Sequence, residues 1–250
     1  MTLRRIGIFC ASWALLLPFG AAAEEPLKLL TLNYKPYSYL SETKVEGINT
    51  DIVRELFRRA GKEIEITVKP WARVLREAKR GRVDAIYNPI LTKERAKYLD
   101  YLDQPLIVEV IRLFRLKGSS ITYTGSLDSI AGQRVGVVKS FSLGPKLDDA
   151  FASGSLYKVE TSSTSNLIKI LTNKRIPLIA SDQVIARAMA AESGFADVIE
   201  FAGPVVQETP TYLAMPKGRS TLAFRNRLDA FLAEMRKDGT VSRILKKHGL

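Results

Sequence analysis

The chain has 250 residues, and its 38 Lys and Arg outnumber 26 Asp and Glu to give a net charge of +12. With one cysteine, Cys10, and one histidine, His248, the composition argues against Ser-His and Cys-His catalysis and against histidine-based metal sites. We therefore expect neither a metal nor another cofactor. The basic residues are scattered over predicted helix faces and form no tract, so nucleic acid is not expected as a partner.

The first 23 residues have the layout of a secretory signal peptide. A basic start, MTLRR, precedes an apolar segment at residues 6–19, and an A-x-A cleavage site at residues 21–23 comes before Glu24. The apolar segment is too short for a comfortable membrane span, and no later segment is long enough to be one. We expect an exported protein that is cleaved after Ala23 and located in the periplasm.

Strands and helices are predicted to alternate in the first part of the mature chain. An opening strand and a tyrosine-rich loop, LKLLTLNYKPYSYL, precede a helix in GINTDIVRELFRRAG. A second helix is predicted from apolar residues at helical spacing, namely Trp71, Val74, Leu75 and Ala78. Gly81 ends this helix, a buried strand covers residues 83–90, and Thr92 is placed to cap a helix that begins near Arg95.

The pattern repeats in the second part of the chain. Residues 134–138 and 176–180 read as strands, with a helix around Leu167 between them, and the last long helix carries apolar residues that return to the first lobe. Such alternation predicts an α/β fold with largely parallel, doubly wound sheets. We expect residues 24–112 and 208–250 to form a discontinuous first lobe, residues 113–207 to form the second lobe, and a two-segment hinge to join them.

Several segments share their order and spacing with one family. Besides the two segments quoted first, they are GRVDAIYNPILTKERAKYLDYLDQPL, IAGQRVGVVKSFS, RIPLIASDQVIA, and YLAMPKG with DGTVSRILKKHG. Along nearly its whole mature length the chain resembles the bacterial extracellular solute-binding proteins of family 3, periplasmic receptors that deliver polar amino acids to ABC transporters. The resemblance implies a type II periplasmic binding fold, a small polar solute as ligand, an inner-membrane ABC permease as partner, and a monomer.

The resemblance also implies an ion-pairing site for a zwitterion. In the family, the arginine of a TxxR sequence binds the α-carboxylate and an aspartate after a second-lobe strand binds the α-ammonium; Arg95 and Asp182 stand at those places. Each has a structural alternative, because Arg95 fits a solvated helix arginine and Asp182 fits the N-cap of a helix over residues 183–192.

Aromatic and polar residues complete the predicted site. The family often places a stacking aromatic in the loop after the first strand, where Tyr34 and Tyr37 lie, and Trp71 at its helix start is expected near the cleft. Ser140 and Ser142 follow a second-lobe strand and are expected to open a helix whose free amides hold an anionic group. Plain helix capping is the alternative, and both can be true.

One departure from the family concerns the strand before TxxR. Amino-acid receptors usually carry small or hydroxyl residues where this chain has Asn88 and Ile90, and Pro89 between them removes a backbone donor. We expect Asn88 and Ile90 to contact the solute and to shift its identity away from an ordinary α-amino acid.

Two other functions remain open. One is a carboxylate-using enzyme on the same fold, similar to the periplasmic cyclohexadienyl dehydratases, with Glu109, Asp182 or Glu208 as the acid. The other is a receptor that presents its solute to a signalling partner. The sequence marks out no pair of acids, so we expect a binding protein and not an enzyme.

Export is directly testable. Intact-mass measurement of periplasmic material should give a chain that starts at Glu24, because cleavage follows an A-x-A site. A mature species that keeps Trp13 and stays in the membrane fraction would contradict the prediction.

Overall fold

The structure is a computed structural model that describes residues 25–249, so the predicted signal peptide lies outside the described residues. The strands are β1 (Leu27–Thr31), β2 (Tyr39–Ser41), β3 (Lys44–Glu46), β4 (Ile64–Val68), β5 (Ala85–Ile90), β6 (Leu99–Tyr101), β7 (Ile107–Leu116), β8 (Arg134–Val138), β9 (Tyr157–Thr161), β10 (Leu178–Asp182), β11 (Ile199–Phe201) and β12 (Gln207–Pro216). The α-helices are α1 (Ile48–Arg59), α2 (Trp71–Lys79), α3 (Pro145–Ala152), α4 (Thr164–Thr172), α5 (Gln183–Glu192), α6 (Leu222–Lys237) and α7 (Thr240–Lys247).

Ten of these strands form one continuous, mixed sheet, in the order β4-β1-β5-β12-β7-β10-β8-β9 with β6 beside β12 and β11 beside β7. At one end β1 pairs in parallel with β4 and β5, and at the other end β8 pairs in parallel with β9 and β10. The long strands β7 and β12 join the two parallel parts as an antiparallel pair. This is the two-lobed, doubly wound arrangement expected from the sequence.

Separate cores support the two parallel parts. The largest apolar cluster surrounds β1 and β5 and includes Ile52, Phe57 and Ile86, while two further clusters surround β8 and β10. Leu228 and Leu232 of α6 belong to the first cluster, so the last long helix packs on the first lobe. The expected lobe boundaries, at residues 112 and 208, fall inside β7 and β12.

Two local predictions needed correction. The helix expected to begin near Arg95 is a single 3₁₀ turn, Arg95–Lys97, although the Thr92 hydroxyl does accept a hydrogen bond from the Arg95 amide at 3.2 Å. The strand expected at residues 176–180 is Leu178–Asp182, two residues later. The Thr92 cap located the turn and an apolar run located the strand, but hydrogen bonding to neighbours decided where each element ends.

The helices of the described residues are short and amphipathic. None of those within residues 25–249 combines the length and the apolar character that a membrane crossing requires. α2 buries Trp71, Val74 and Ala78 on one face, as its helical spacing predicts.

A tight loop after β1 carries the two tyrosines of the predicted site. The Tyr34 amide donates to the Ser38 carbonyl at 2.6 Å, and the amides of Ile48 and Asn49 donate to the carbonyls of Pro36 and Tyr37 at 3.1 and 2.9 Å. The first turn of α1 therefore holds this loop through its backbone.

The glycine before α1 allows that contact. Gly47 has φ +120°, and a β-carbon there would lie 2.6 Å from the backbone carbonyl carbon and oxygen of Tyr37. A side chain at this position would therefore have to push the loop away.

We expect Gly47→Ala to lower the free energy of unfolding by roughly 2–6 kcal/mol, about 1–3 from the strained backbone and about 1–3 from the clash. Gly61→Ala is the matched control, because Gly61 also has a positive φ, +67°, but open space around it. The control should cost only about 1–2 kcal/mol. Denaturant unfolding measures both, and equal losses would contradict the clash.

Candidate ligand-binding site

A cleft between the lobes brings most of the predicted site residues together. It lies past the carboxyl ends of β1 and β5, where ligands bind in open α/β sheets, and the loop after β8 covers it. The residues that line it are Leu32, Tyr34, Trp71, Asn88, Ile90, Arg95, Glu109, Phe141 and Ser142. The enclosed space is about 20 Å³, room for one water molecule, so a solute enters only when the lobes part.

Arg95 is a buried cation in this cleft. Its side chain is held by the carbonyl oxygens of Ile90, at 3.0 Å, and of Ser140, at 3.1 Å, and it lies 5.6 Å from the centre of the Trp71 ring. Burial lowers the pKa of Arg95. Among residues 25–249 no carboxylate lies within ion-pair distance of it, so its close partners are carbonyl dipoles and a ring face, and the charges of Asp148 and Glu94 act on it from farther away. A buried charge in such a position favours an anionic ligand.

Glu109 is a buried acid in the same cleft. It is the third residue of β7, in the middle of the stretch that pairs with β12, and it accepts a hydrogen bond from the Tyr34 hydroxyl at 3.0 Å. Burial raises the pKa of Glu109 well above its usual range, the charge of Asp182 raises it further, and the Tyr34 hydrogen bond opposes the shift. In the described part of the chain no cation lies within ion-pair distance of this carboxyl group.

Asp182 does not line the cleft. One of its oxygens accepts hydrogen bonds from the amides of Val184 and Ile185 and from the Tyr37 hydroxyl, at 2.9 to 3.1 Å, and the other accepts from the Val110 amide at 3.0 Å. Four donors fill the acceptor sites of a carboxylate. The helix-capping alternative therefore describes Asp182 in this structure, and Tyr37 with it lies behind the cleft. Their ligand roles stay predictions.

Three aromatic rings from both lobes meet at the cleft. Phe141, from the loop after β8, contacts Tyr34 and Trp71 edge-on, with ring centres 5.3 and 6.5 Å apart. Trp71 is buried at the first turn of α2, as expected for a residue that belongs both to the core and to the cleft wall.

Asn88, the polar residue that departs from the family pattern, is held by a network of side-chain hydrogen bonds. The side-chain amide of Asn88 donates to the hydroxyls of Thr31 and Ser38, at 3.0 and 2.8 Å, and its oxygen accepts from Asn49 at 2.6 Å. Its backbone has a positive φ, 79°. Ile90 contributes its side chain to the cleft wall and its carbonyl oxygen to Arg95.

Ser142 is near the start of a helix but not inside it. Its hydroxyl bonds to Asp148 and accepts from the Gly144 amide at 3.2 Å, while α3 starts at Pro145. The helix that the sequence predicts to open at Ser140 and Ser142 begins later, after Gly144, which has φ +90°.

Phe141 and Leu32 were not predicted, and Glu109 was considered only as a catalytic acid. A single acid in the apolar strand IVEVIRLF was the available signal for Glu109, because a charge seldom enters such a strand without a role.

The comparisons with known proteins agree on the family. The model of bacterial extracellular solute-binding proteins, family 3, matches residues 28–250, so the chain belongs to this family and is a solute-binding protein.

Among curated relatives, the histidine-binding periplasmic protein of Escherichia coli (strain K12) is 26% identical over 220 residues, which cover 86% of this chain and 84% of the relative. The putative amino-acid ABC transporter-binding protein PatH of Vibrio harveyi is 25% identical over 231 residues, 90% of this chain and 89% of the relative.

Solved structures show the same fold. An ancestral arginine-binding protein bound to arginine has a TM-score of 0.76 at 20% identity, and the match covers 89% of this chain and 97% of the ancestral chain. An ancestral amino acid-binding protein, described as a precursor of cyclohexadienyl dehydratase, has a TM-score of 0.70 at 20% identity, covering 89% and 94%. The predicted type II periplasmic binding fold is confirmed.

The buried acid should make stability depend on pH. Because the pKa of Glu109 is raised above its usual 4.5, the folded protein binds more protons than the unfolded chain between that value and the folded pKa. The free energy of unfolding of the ligand-free protein should therefore fall as pH rises from 4.5 through the folded pKa, by at most about 1.4 kcal/mol per pH unit for this group.

Glu109→Gln should flatten this slope, measured by denaturant unfolding at a series of pH values. Glu208→Gln is the control, because Glu208 is an exposed acid on the partner strand β12. Equal slopes in wild type and Glu109→Gln would show that Glu109 ionises as freely as a surface acid.

Proposed function

We propose that this protein is a monomeric periplasmic receptor that closes on an amino acid or a related zwitterion and delivers it to an inner-membrane ABC permease. The observation that carries the proposal is the presence, in one cleft, of a buried cation, Arg95, and a buried acid, Glu109, neither paired within the described residues. A zwitterion supplies the missing partner for each.

Arg95 is the group for the carboxylate. Its guanidinium donates to two carbonyl oxygens, and a carboxylate would exchange those neutral acceptors for a charged one. Charge-assisted bonds of this kind are about twice as strong as neutral ones.

Glu109 is the group for the ammonium. Its carboxyl faces the cleft, whereas Asp182 is saturated by four donors behind it. A bound cation next to Glu109 would lower the pKa of its carboxyl toward the usual range and hold it ionised. The aromatic faces of Trp71, Tyr34 and Phe141 then enclose the apolar part of the solute.

Closure follows from contacts that span the lobes. Arg95 donates to the Ser140 carbonyl, Tyr37 donates to Asp182, and Lys35 pairs with Glu192 at 2.5 Å. A solute held between Arg95 of the first lobe and Phe141 of the second adds a contact that exists only when the lobes meet. Such a differential contact is what shifts a hinged protein to its closed state.

An acid-catalysed elimination is the second candidate, because the same raised pKa of Glu109 keeps a proton available for transfer. Binding is favoured, since no second carboxyl group among the described residues lines the cleft to act as a base. Mass spectrometry separates the two: a receptor returns its solute unchanged after prolonged incubation, and an enzyme does not.

We expect Arg95→Ala to cost roughly 2–5 kcal/mol of binding, because the solute carboxylate would be buried without its counter-ion. At about 1.4 kcal/mol per tenfold, affinity should fall at least about 25-fold. Calorimetry measures this with the amino acid that most raises the thermal stability of the mature protein.

Arg73→Ala is the matched control, because Arg73 lies on the exposed face of α2 with a side chain that is 55% exposed. It should bind as wild type does. The fluorescence emission of Trp71, which contacts Phe141 of the other lobe when the lobes are closed, gives a second readout of binding. Unchanged affinity in Arg95→Ala would end the carboxylate role.

A further inference from the structure

A second, much larger cavity adjoins the cleft. It measures about 630 Å³ and shares four wall residues with the cleft, namely Leu32, Tyr34, Trp71 and Phe141. That volume exceeds the needs of a small amino acid and falls in the range of sites for larger ligands. A solute anchored at Arg95 therefore has room to extend past the aromatic rings.

The outer part of this cavity is formed by residues that follow four parallel strands. Lys69 comes directly after β4, and its amide donates to the Thr31 carbonyl at the end of β1, at 2.9 Å. Lys139 comes directly after β8, and its amide donates to the Thr161 carbonyl at the end of β9, at 2.8 Å. The two lysines thus enter the cavity from opposite lobes.

The amino end of α4 forms another wall. The hydroxyl of Ser163 caps the helix by accepting from the Asn166 amide at 3.2 Å, and residues 162–165 all line the cavity. In a helix of nine residues, the amides of the first turn have no acceptor inside the helix and carry a partial positive charge.

The first residue of α4 adds an independent sign of a ligand. Thr164 is only 8% exposed, and its hydroxyl has no hydrogen-bond partner among residues 25–249. Among residues 25–249, Asn49 Oδ1 is the only side-chain nitrogen or oxygen that is both fully shielded from solvent and without a hydrogen-bond partner. The unpartnered hydroxyl oxygen of Thr164 is therefore still accessible to solvent. The free hydroxyl of Thr164 therefore opens to the cavity that this residue lines.

The charges around the cavity are predominantly positive. Three lysines and one acid line it, and that acid, Glu192, is already paired with Lys35. Neither Lys69 nor Lys139 forms an ion pair with a described residue. Two unpaired ammonium groups, helix amides and a free hydroxyl together match a carboxylate.

We propose that this cavity is a subsite for a second carboxylate, so that the solute is an acidic amino acid or an elongated acidic derivative of one. The inference rests on the proposed function for the near end of the solute. It separates this chain from relatives that are named for histidine and arginine. Because Lys69 and Lys139 belong to different lobes, the distal carboxylate also strengthens closure.

The test compares solutes that differ only in the distal charge. Calorimetry on the purified mature protein should use matched pairs: glutamate with glutamine, and 2-aminoadipate with its side-chain amide. We expect the acid of at least one pair to bind at least tenfold more tightly than its amide, and this preference to shrink at high salt. An amide that binds as tightly as its acid in both pairs would overturn the inference.

Variants locate the effect. A Lys69→Met, Lys139→Met double variant should reduce the ratio of acid affinity to amide affinity, the acid-to-amide ratio, to about one. Thr164→Val, in which valine keeps the shape of the threonine side chain, should reduce this ratio about threefold. Lys169→Met is the matched control, because Lys169 is an exposed lysine farther along α4 that does not line the cavity, and it should leave the ratio unchanged. A double variant that keeps the wild-type ratio would overturn the inference.

The two proposals fail differently. If arginine or another amino acid without a distal carboxylate binds and neither acid does, the subsite is refuted while the proposed function stands. If no amino acid of any charge binds the folded protein, both are refuted. Circular dichroism melting of each variant checks that it is folded.

Discussion

The pairing of β7 with β12 is the constraint on which the rest of the structure depends. These long antiparallel strands connect the two parallel parts of the sheet, with Thr209 opposite Glu109 and Gln207 opposite Ile111. Their paired stretch joins residues 107–111 to residues 207–211, and its centre lies next to the expected lobe boundaries at residues 112 and 208. Glu109 extends from that centre into the cleft, and the neighbouring Val110 amide holds Asp182.

Burying charge at this junction costs stability and prepares the site for binding. Arg95 and Glu109 are both nearly sealed from water, and neither has an opposite charge beside it within the described residues. Desolvation moves the pKa of each group toward its neutral form. A zwitterion bound between the two groups would relieve both penalties at once.

Asn88, which departs from the family pattern, lines the cleft but is held by its neighbours. Asn88 commits both of its amide protons to Thr31 and Ser38, so it stiffens the floor of the cleft and has little capacity left for a solute. We propose that selectivity comes from the far cavity, which is lined by Lys69, Lys139 and the amino end of α4. A site in which the cleft at Arg95 and Glu109 is common and the adjoining cavity varies would explain how one fold accepts different solutes.

The amino-acid sequence by itself determined the elements and the family. Helical spacing identified the buried face of α2, an aspartate before an amphipathic run marked the first residue of α5, and the TxxR segment pointed to Arg95. These signals are local, because periodicity and capping depend on residues within a few positions of one another.

Only the tertiary structure decided which side chains meet. Tyr34 and Glu109 are 75 positions apart, and the strand pattern of β7 shows that Glu109 is enclosed but not what it faces. The same holds for Phe141, whose place over Trp71 depends on how the second lobe lies against the first. Sequence patterns report burial along one element, whereas register and lobe packing choose the partner across the cleft.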